Sequence, residues 1–182
     1  MGFDMRQSGF TLIITLIFLV IMTILGLTMF NGFTLDQTIA GNLREKSRAF
    51  DAAQTAVNYA EWWLARPGNA TTGVACSSTL GITNTPQVCS NNLLSSPTTL
   101  PWTIGMNYIP TGMSVSTTGG TAINGDAKYY ANPTLYIQYI GKTAAGSYYS
   151  ITGAAQGGNA NAAAVLQSVY QISVQTSNLG NP

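Results

Sequence analysis

The chain has 182 residues, room for one ordinary domain and a tail. Only 7% of them are charged and 46% are apolar, with a formal net charge of +1, whereas soluble globular proteins average about 25% charged residues. The near-neutral balance and the lack of a long basic run argue against a dedicated nucleic-acid binder. The absence of histidine excludes Ser-His-Asp and Cys-His catalysis and removes the commonest metal ligand.

No charge falls between Arg6 and Asp36, and from Phe10 to Phe30 the sequence reads FTLIITLIFLVIMTILGLTMF. As a helix these 21 residues would cover about 32 Å at ~1.5 Å per residue, enough to cross a hydrocarbon core. A buried core helix of that length would seldom be apolar all round, so the segment is predicted to span a membrane. A secretory signal peptide would be followed by an A-x-A-like cleavage site. None follows Phe30, and the apolar segment is expected to stay on the mature protein. Charge counting leaves the orientation ambiguous, because Arg44, Lys46 and Arg48 beyond the span outnumber Arg6 before it.

Ahead of the span stands MGFDMRQSG, and the string Gly9-Phe10-Thr11-Leu12-Ile13 resembles the processing site of type IV pilins and type II secretion pseudopilins. The resemblance implies a leader of residues 1–9, cut after Gly9 by prepilin peptidase on the cytoplasmic side, and methylation of the new terminus at Phe10. A residue without a side chain at the cut suits close approach of a protease to the backbone. Two positions depart from the family. Its glutamate at the fifth mature position is Ile14 here, and Asn31-Gly32 stands near the position of its helix-breaking proline. Glycine weakens a helix by about 1 kcal/mol relative to alanine. The missing carboxylate argues against a shaft subunit.

Residues 36–66 read as a helix continuing the 10–35 segment. Leu43, Phe50, Val57 and Leu64 recur every seven residues, with Ile39, Ala53 and Ala60 between them, giving one apolar stripe expected to pack on a sheet. A coiled coil has the same spacing, but the repeat is short and adjoins the span. Arg66-Pro67-Gly68 should stop the helix. Asp36, Glu45, Asp51 and Glu61 are distributed round it and read as a solvated face, while Arg44, Lys46 and Arg48 beside Asp51 suggest a surface ion-pair cluster. The run Ile39-Ala40-Gly41-Asn42-Leu43-Arg44, then Arg48-Ala49-Phe50 and Ala52-Ala53, resembles the N-terminal signature of the PilX family of minor pilins. Near the other end, Tyr149-Ser150-Ile151-Thr152-Gly153 and Val165-Leu166-Gln167-Ser168-Val169-Tyr170 are similar to the closing strands of that family.

Residues 67–128 form an insertion rich in Ser, Thr, Asn, Gly and Pro, without charge as far as Gly125. It reads either as a disordered linker or as an irregular segment pinned to the domain, and Cys76 and Cys89 favour the second. Outside the cytoplasm two cysteines so spaced can bridge, and closing a loop of about 14 residues stabilises by roughly 3 kcal/mol. Zinc would need further Cys or His ligands.

Residues 129–182 read as β. Thr134 to Ile140, Ser147 to Thr152 and Ala163 to Val174 are strand-like runs, bounded by glycine turns at Gly141, Gly146 and Gly153 to Gly158. Polar alternation at Gln167, Gln171 and Ser173 suits an antiparallel sheet of three or four strands with one covered face. The pairs Tyr129-Tyr130 and Tyr148-Tyr149 read as sheet packing. The expected class is therefore α+β, a long helix laid on that sheet, which is also the pilin-like fold the resemblance implies.

No carboxylate pair, phosphate loop or metal-ligand cluster is evident, so no enzyme, cofactor or metal is expected. The resemblance implies a minor pilin that helps initiate type IV pilus assembly at or near the tip. Its partners would be other minor pilins, the major pilin, a PilY-type tip adhesin, prepilin peptidase and the inner-membrane assembly platform. The implied location is the bacterial inner membrane, N-terminus cytoplasmic and globular domain periplasmic, and later the extracellular pilus. The alternatives are a type II secretion pseudopilin, disfavoured by the lack of acids in Ser173 to Pro182, and a plain membrane-anchored periplasmic binding domain.

Overall fold

The apolar and amphipathic runs form a single helix, α1 (Ser8–Leu64), in the computed structural model, which describes residues 8–77, 81–93, 96–117 and 128–173. Six strands follow among the described residues: β1 (Gly81–Thr83), β2 (Val88–Cys89), β3 (Ile104–Asn107), β4 (Thr134–Thr143), β5 (Gly146–Gln156) and β6 (Ala163–Ile172). The chain divides into two compact units, residues 1–43 and 44–182, with the boundary inside α1.

In the first unit, Phe10–Met29 has a mean hydropathy of 2.8 and no buried part. Its length and composition suffice to cross a membrane. The threonines within it are satisfied by their own helix. Thr15, Thr23 and Thr28 donate their hydroxyls to the carbonyls of Leu12, Val20 and Leu25 at 2.9, 2.8 and 2.8 Å. A hydroxyl bonded three residues back leaves no orphan donor to lipid.

In the second unit, α1 buries Ala49, Ala52, Ala53, Ala56, Val57, Ala60 and Leu64, the three-and-four spacing of one helical face. Most of this face is alanine, which lets the sheet come close. Val57 and Leu64 of the expected stripe are in it, but Phe50 is 46% exposed, and Leu43 in the first unit is 66% exposed. A seven-residue repeat advances 3.5 residues per turn against 3.6 for a straight helix, so it drifts by about 20° per heptad. The stripe thus turns off the sheet, and alanines on the true period take its place. The helix stops where Arg66-Pro67-Gly68 predicts: Gly68 takes φ +86°, and the Asn69 side-chain amide donates to the Trp63 carbonyl at 2.8 Å, satisfying a group of the last turn.

The three long strands make the expected antiparallel meander, β4–β5–β6. The sheet is nevertheless larger and mixed. Its order is β1-β3-β4-β5-β6, with β2 also paired to β4. β3 runs antiparallel to β4 at Thr134 and Leu135, while β2 lies parallel to it at Ile137 and Gln138. β1 is parallel to β3. The short strands all come from the segment expected to be irregular. The turn expected from Gly153 begins only after Gln156, and Gly153 is an interior residue of β5. Gly141 likewise lies within β4, at a register shift between Tyr139 and Gly141. The expected end at Val174 lies outside the described residues.

Both faces of β4 and β5 are covered, not one. Leu135, Ile137, Tyr149 and Ile151 meet Ala56, Val57, Ala60 and Leu64 of α1. Tyr136 and Ala154, on the opposite face by strand alternation, lie under Cys76, Cys89, Trp102 and Ile104. The cover is anchored by polar contacts as well: the Tyr136 hydroxyl donates to the Asn91 carbonyl at 2.8 Å and the Trp102 indole N–H to the Pro97 carbonyl at 3.0 Å. Burial pushes the Tyr136 hydroxyl pKa up to about 12.

Candidate functional site

Three places carry the chemistry: the start of α1, the stapled insertion, and a polar clasp between α1 and the β5–β6 turn. Gly9 and Phe10 lie in the opening turns of α1, and Phe10 is 72% exposed. Ile14 follows on the same helix, also exposed. No side-chain carboxylate therefore stands at that position.

The insertion is pinned. Cys76 and Cys89 form a disulfide with a Cα–Cα distance of 5.4 Å, within the usual range for such bonds. Asn91 holds the Cys76 backbone from both sides, accepting from its N–H at 2.7 Å and donating to its carbonyl at 2.8 Å. Val74 bridges to Cys89 through bonds from its N–H to Val88 and from Ser90 to its carbonyl. This needs a glycine at 73, where φ is +76° and a Cβ would stand 2.7 Å from the Val88 carbonyl oxygen. Sequence reasoning found the cysteines but missed Asn91 and Gly73, which carry no spacing signal.

The clasp is centred on Arg48, one of the cations expected in a surface ion-pair cluster beside Asp51. Arg48 pairs with Glu45 at 2.8 Å. Its other terminal nitrogen donates to the Lys128 carbonyl at 3.1 Å, and its guanidinium lies 4.4 Å from the centre of the Tyr129 ring. The Gly158 N–H donates to the Glu45 carboxylate and the Lys46 ammonium to the Ala163 carbonyl. Further along, the Ser168 hydroxyl donates to Glu61 at 2.8 Å. The helix acids read as a solvated face include two, Glu45 and Glu61, that tie helix to sheet. Burial alone would raise the Glu45 carboxyl pKa. The Gly158 N–H, the Arg48 guanidinium and Arg44 together outweigh it and hold that carboxyl below its ordinary value.

Glycines 157 and 158 belong to this clasp. A Cβ on Gly157 would stand 2.5 Å from the Glu45 backbone carbonyl, and one on Gly158 would stand 2.7 Å from its carboxylate. They are there for close approach to a helix. Tyr129 covers the Arg48 guanidinium and also packs against Ala52, Ala53 and Ala155. Tyr149 packs in the sheet core, with its ring 5.7 Å from that of Tyr139. No group of His, Cys, Asp and Glu that could hold a metal occurs among the described residues. What the arrangement can do is non-covalent. The first unit presents an apolar helix, and within the second unit the clasp ties residues 45–48 of α1 to the β5–β6 turn.

The PilX N-terminal family model matches residues 8–58, and that of the C-terminal part of type IV pilus assembly protein PilX matches residues 49–172. The chain belongs to the PilX family. The two PilX matches overlap in the alanine-rich turns of α1 that bear the sheet, so the helix and the domain are both part of the family pattern. PilX membership makes the chain a component of type IV pilus assembly, a structural part of the pilus system, and together with the apolar helix it indicates a membrane anchor. Neither the curated proteins nor the solved structures hold a significant match to it.

Proposed function

We propose that this PilX-family chain is a minor pilin that takes part in initiating type IV pilus assembly and sits at or near the pilus tip. The observation that carries the reading is the conjunction of an exposed, uncharged helix Phe10–Met29 with Ile14 at the place of the pilin glutamate. Before assembly the helix is stored in the inner membrane, N-terminus cytoplasmic and domain periplasmic. Prepilin peptidase cuts after Gly9, and the amine of Phe10 is methylated. The assembly platform then draws the helix out of lipid and against the helices of other minor pilins and the major pilin. Apolar surface passes from lipid to protein, so little driving force is lost. Leu43 and Phe50, both exposed, are available for such contacts.

In a pilin stack the glutamate of an incoming subunit neutralises the amine of the subunit above it. An unpaired charge in an apolar core costs several kcal/mol, so the pairing favours addition from below. A chain with Ile14 cannot neutralise a subunit above it, yet its own Phe10 amine can recruit one beneath. That asymmetry suits a subunit added first, beside a PilY-type adhesin at the tip. The family match favours the pilus over a secretion pseudopilin. Immunogold labelling tests the position: the expected result is sparse label at filament ends, with fewer pili when the chain is deleted. Label along the shaft at the density of the major pilin would overturn it.

A further inference from the structure

Beside the C-terminal end of α1 runs a ladder of aromatic rings whose inner members, Tyr59 and Tyr108, also pack against the core. The Tyr59 and Tyr108 rings are stacked at 4.6 Å, Trp62 stands 5.6 Å from Tyr59, and the Arg66 guanidinium covers the Trp62 ring at 3.8 Å. Trp62 is nonetheless 51% exposed. Beside the ladder lies an open groove of about 320 Å³ lined by Tyr59 and Tyr108 together with Asn84, Asn107 and Thr111. None of its lining residues is charged. The side-chain amides of Asn84 and Asn107 bond to no described residue.

We infer that this groove binds a neutral saccharide, with pyranose rings laid on the Tyr59–Tyr108–Trp62 ladder and hydroxyls met by Asn84 and Asn107. A pyranose has an apolar C–H face and a rim of hydroxyls that donate and accept. An aromatic ring offers an electron-rich face to the first, and an amide offers both a donor and an acceptor to the second. A groove that pairs stacked rings with unengaged amides and carries no charge matches that combination. The rings already hold one another, so little ordering remains to be done on binding. A nucleic-acid strand would also stack on aromatic rings, but it needs a cationic track for its phosphates. The groove has none, and Arg66 is engaged on Trp62. The inference concerns only the second unit and does not depend on the chain's place in a pilus.

The test uses the full chain in a zwitterionic detergent, since sugar-headed detergents would compete. Chitotriose, cellotriose and maltotriose are titrated separately by saturation-transfer NMR and tryptophan fluorescence. At least one should bind saturably with Kd below about 1 mM. Trp62→Ala and Asn84→Ala, both at exposed positions, should each weaken it by about tenfold or more with the far-ultraviolet circular dichroism of wild type. The inference is overturned if none of the three saccharides binds up to about 10 mM. It is equally overturned if both variants bind as wild type does, or if a twelve-residue oligothymidylate binds more tightly than every saccharide.

Discussion

Gly153 of β5 lies directly against Val57 of α1: a Cβ on Gly153 would stand 2.7 Å from the Val57 Cγ2 and 2.9 Å from the Ala53 carbonyl oxygen. The glycine and the alanine face above it are one device, a sheet brought so near a helix that a methyl group no longer fits. Gly153→Ala should therefore destabilise the domain by about 1–3 kcal/mol through overpacking. Removing the opposing γ-methyls with Val57→Ala in the same chain should recover part of that loss, a coupling that a double-mutant cycle in urea reads directly. Strict additivity of the two substitutions would contradict the contact.

The Glu45 clasp should make stability depend on pH in the acid range. A carboxyl whose folded pKa lies below its unfolded value of 4.5 stabilises fully above that value, and the contribution is lost as pH falls through the folded pKa. The urea midpoint of wild type should fall as pH drops below about 4.5. Glu45→Gln should be less stable than wild type at neutral pH, and the two should converge in acid. Parallel curves down to low pH would show that Glu45 contributes nothing to the fold.

The Cys76–Cys89 disulfide should govern the insertion more than the meander. Replacing both cysteines by serine should lower stability by roughly 3 kcal/mol and open the segment around residues 74–91 to proteolysis, because the bridge of Val74 to Cys89 goes with it. Limited proteolysis followed by peptide mapping checks this. The native protein should be lighter by two hydrogen atoms than its reduced form.

The proposed cleavage after Gly9 calls for a residue without a side chain there. Gly9→Val, coexpressed with prepilin peptidase, should remain a membrane-bound precursor, while wild type should begin at methylated Phe10 by mass spectrometry. Intact Met1 on protein recovered from assembled pili would overturn the pilin reading.

Local pattern alone determined much of this protein. The span is a run of side chains without charge, the helix stop is Pro67 and Gly68, and β4, β5 and β6 are alternating stretches. Each follows from neighbours close in sequence. The disulfide pairing also followed, because there are two cysteines to pair. Tertiary structure decided what depends on distance along the chain. Of the heptad Leu43, Phe50, Val57 and Leu64, the last two meet the sheet, together with the interleaved Ala53 and Ala60, while Phe50 is exposed and Ala49, Ala52 and Ala56 complete the face, since a straight helix keeps a 3.6 period and a close sheet rewards small residues over large ones. Gly153 and Gly157-Gly158 read as turns from composition. The first is a strand residue, whereas the others do lie in the turn between β5 and β6 and also seat Glu45, 113 residues away in sequence from Gly158. β1, β2 and β3 have too few residues to show a period, and pairing with β4 and with one another is what makes them strands. A glycine permits a turn and a close approach equally, and only the partner that arrives from elsewhere in the chain selects between them.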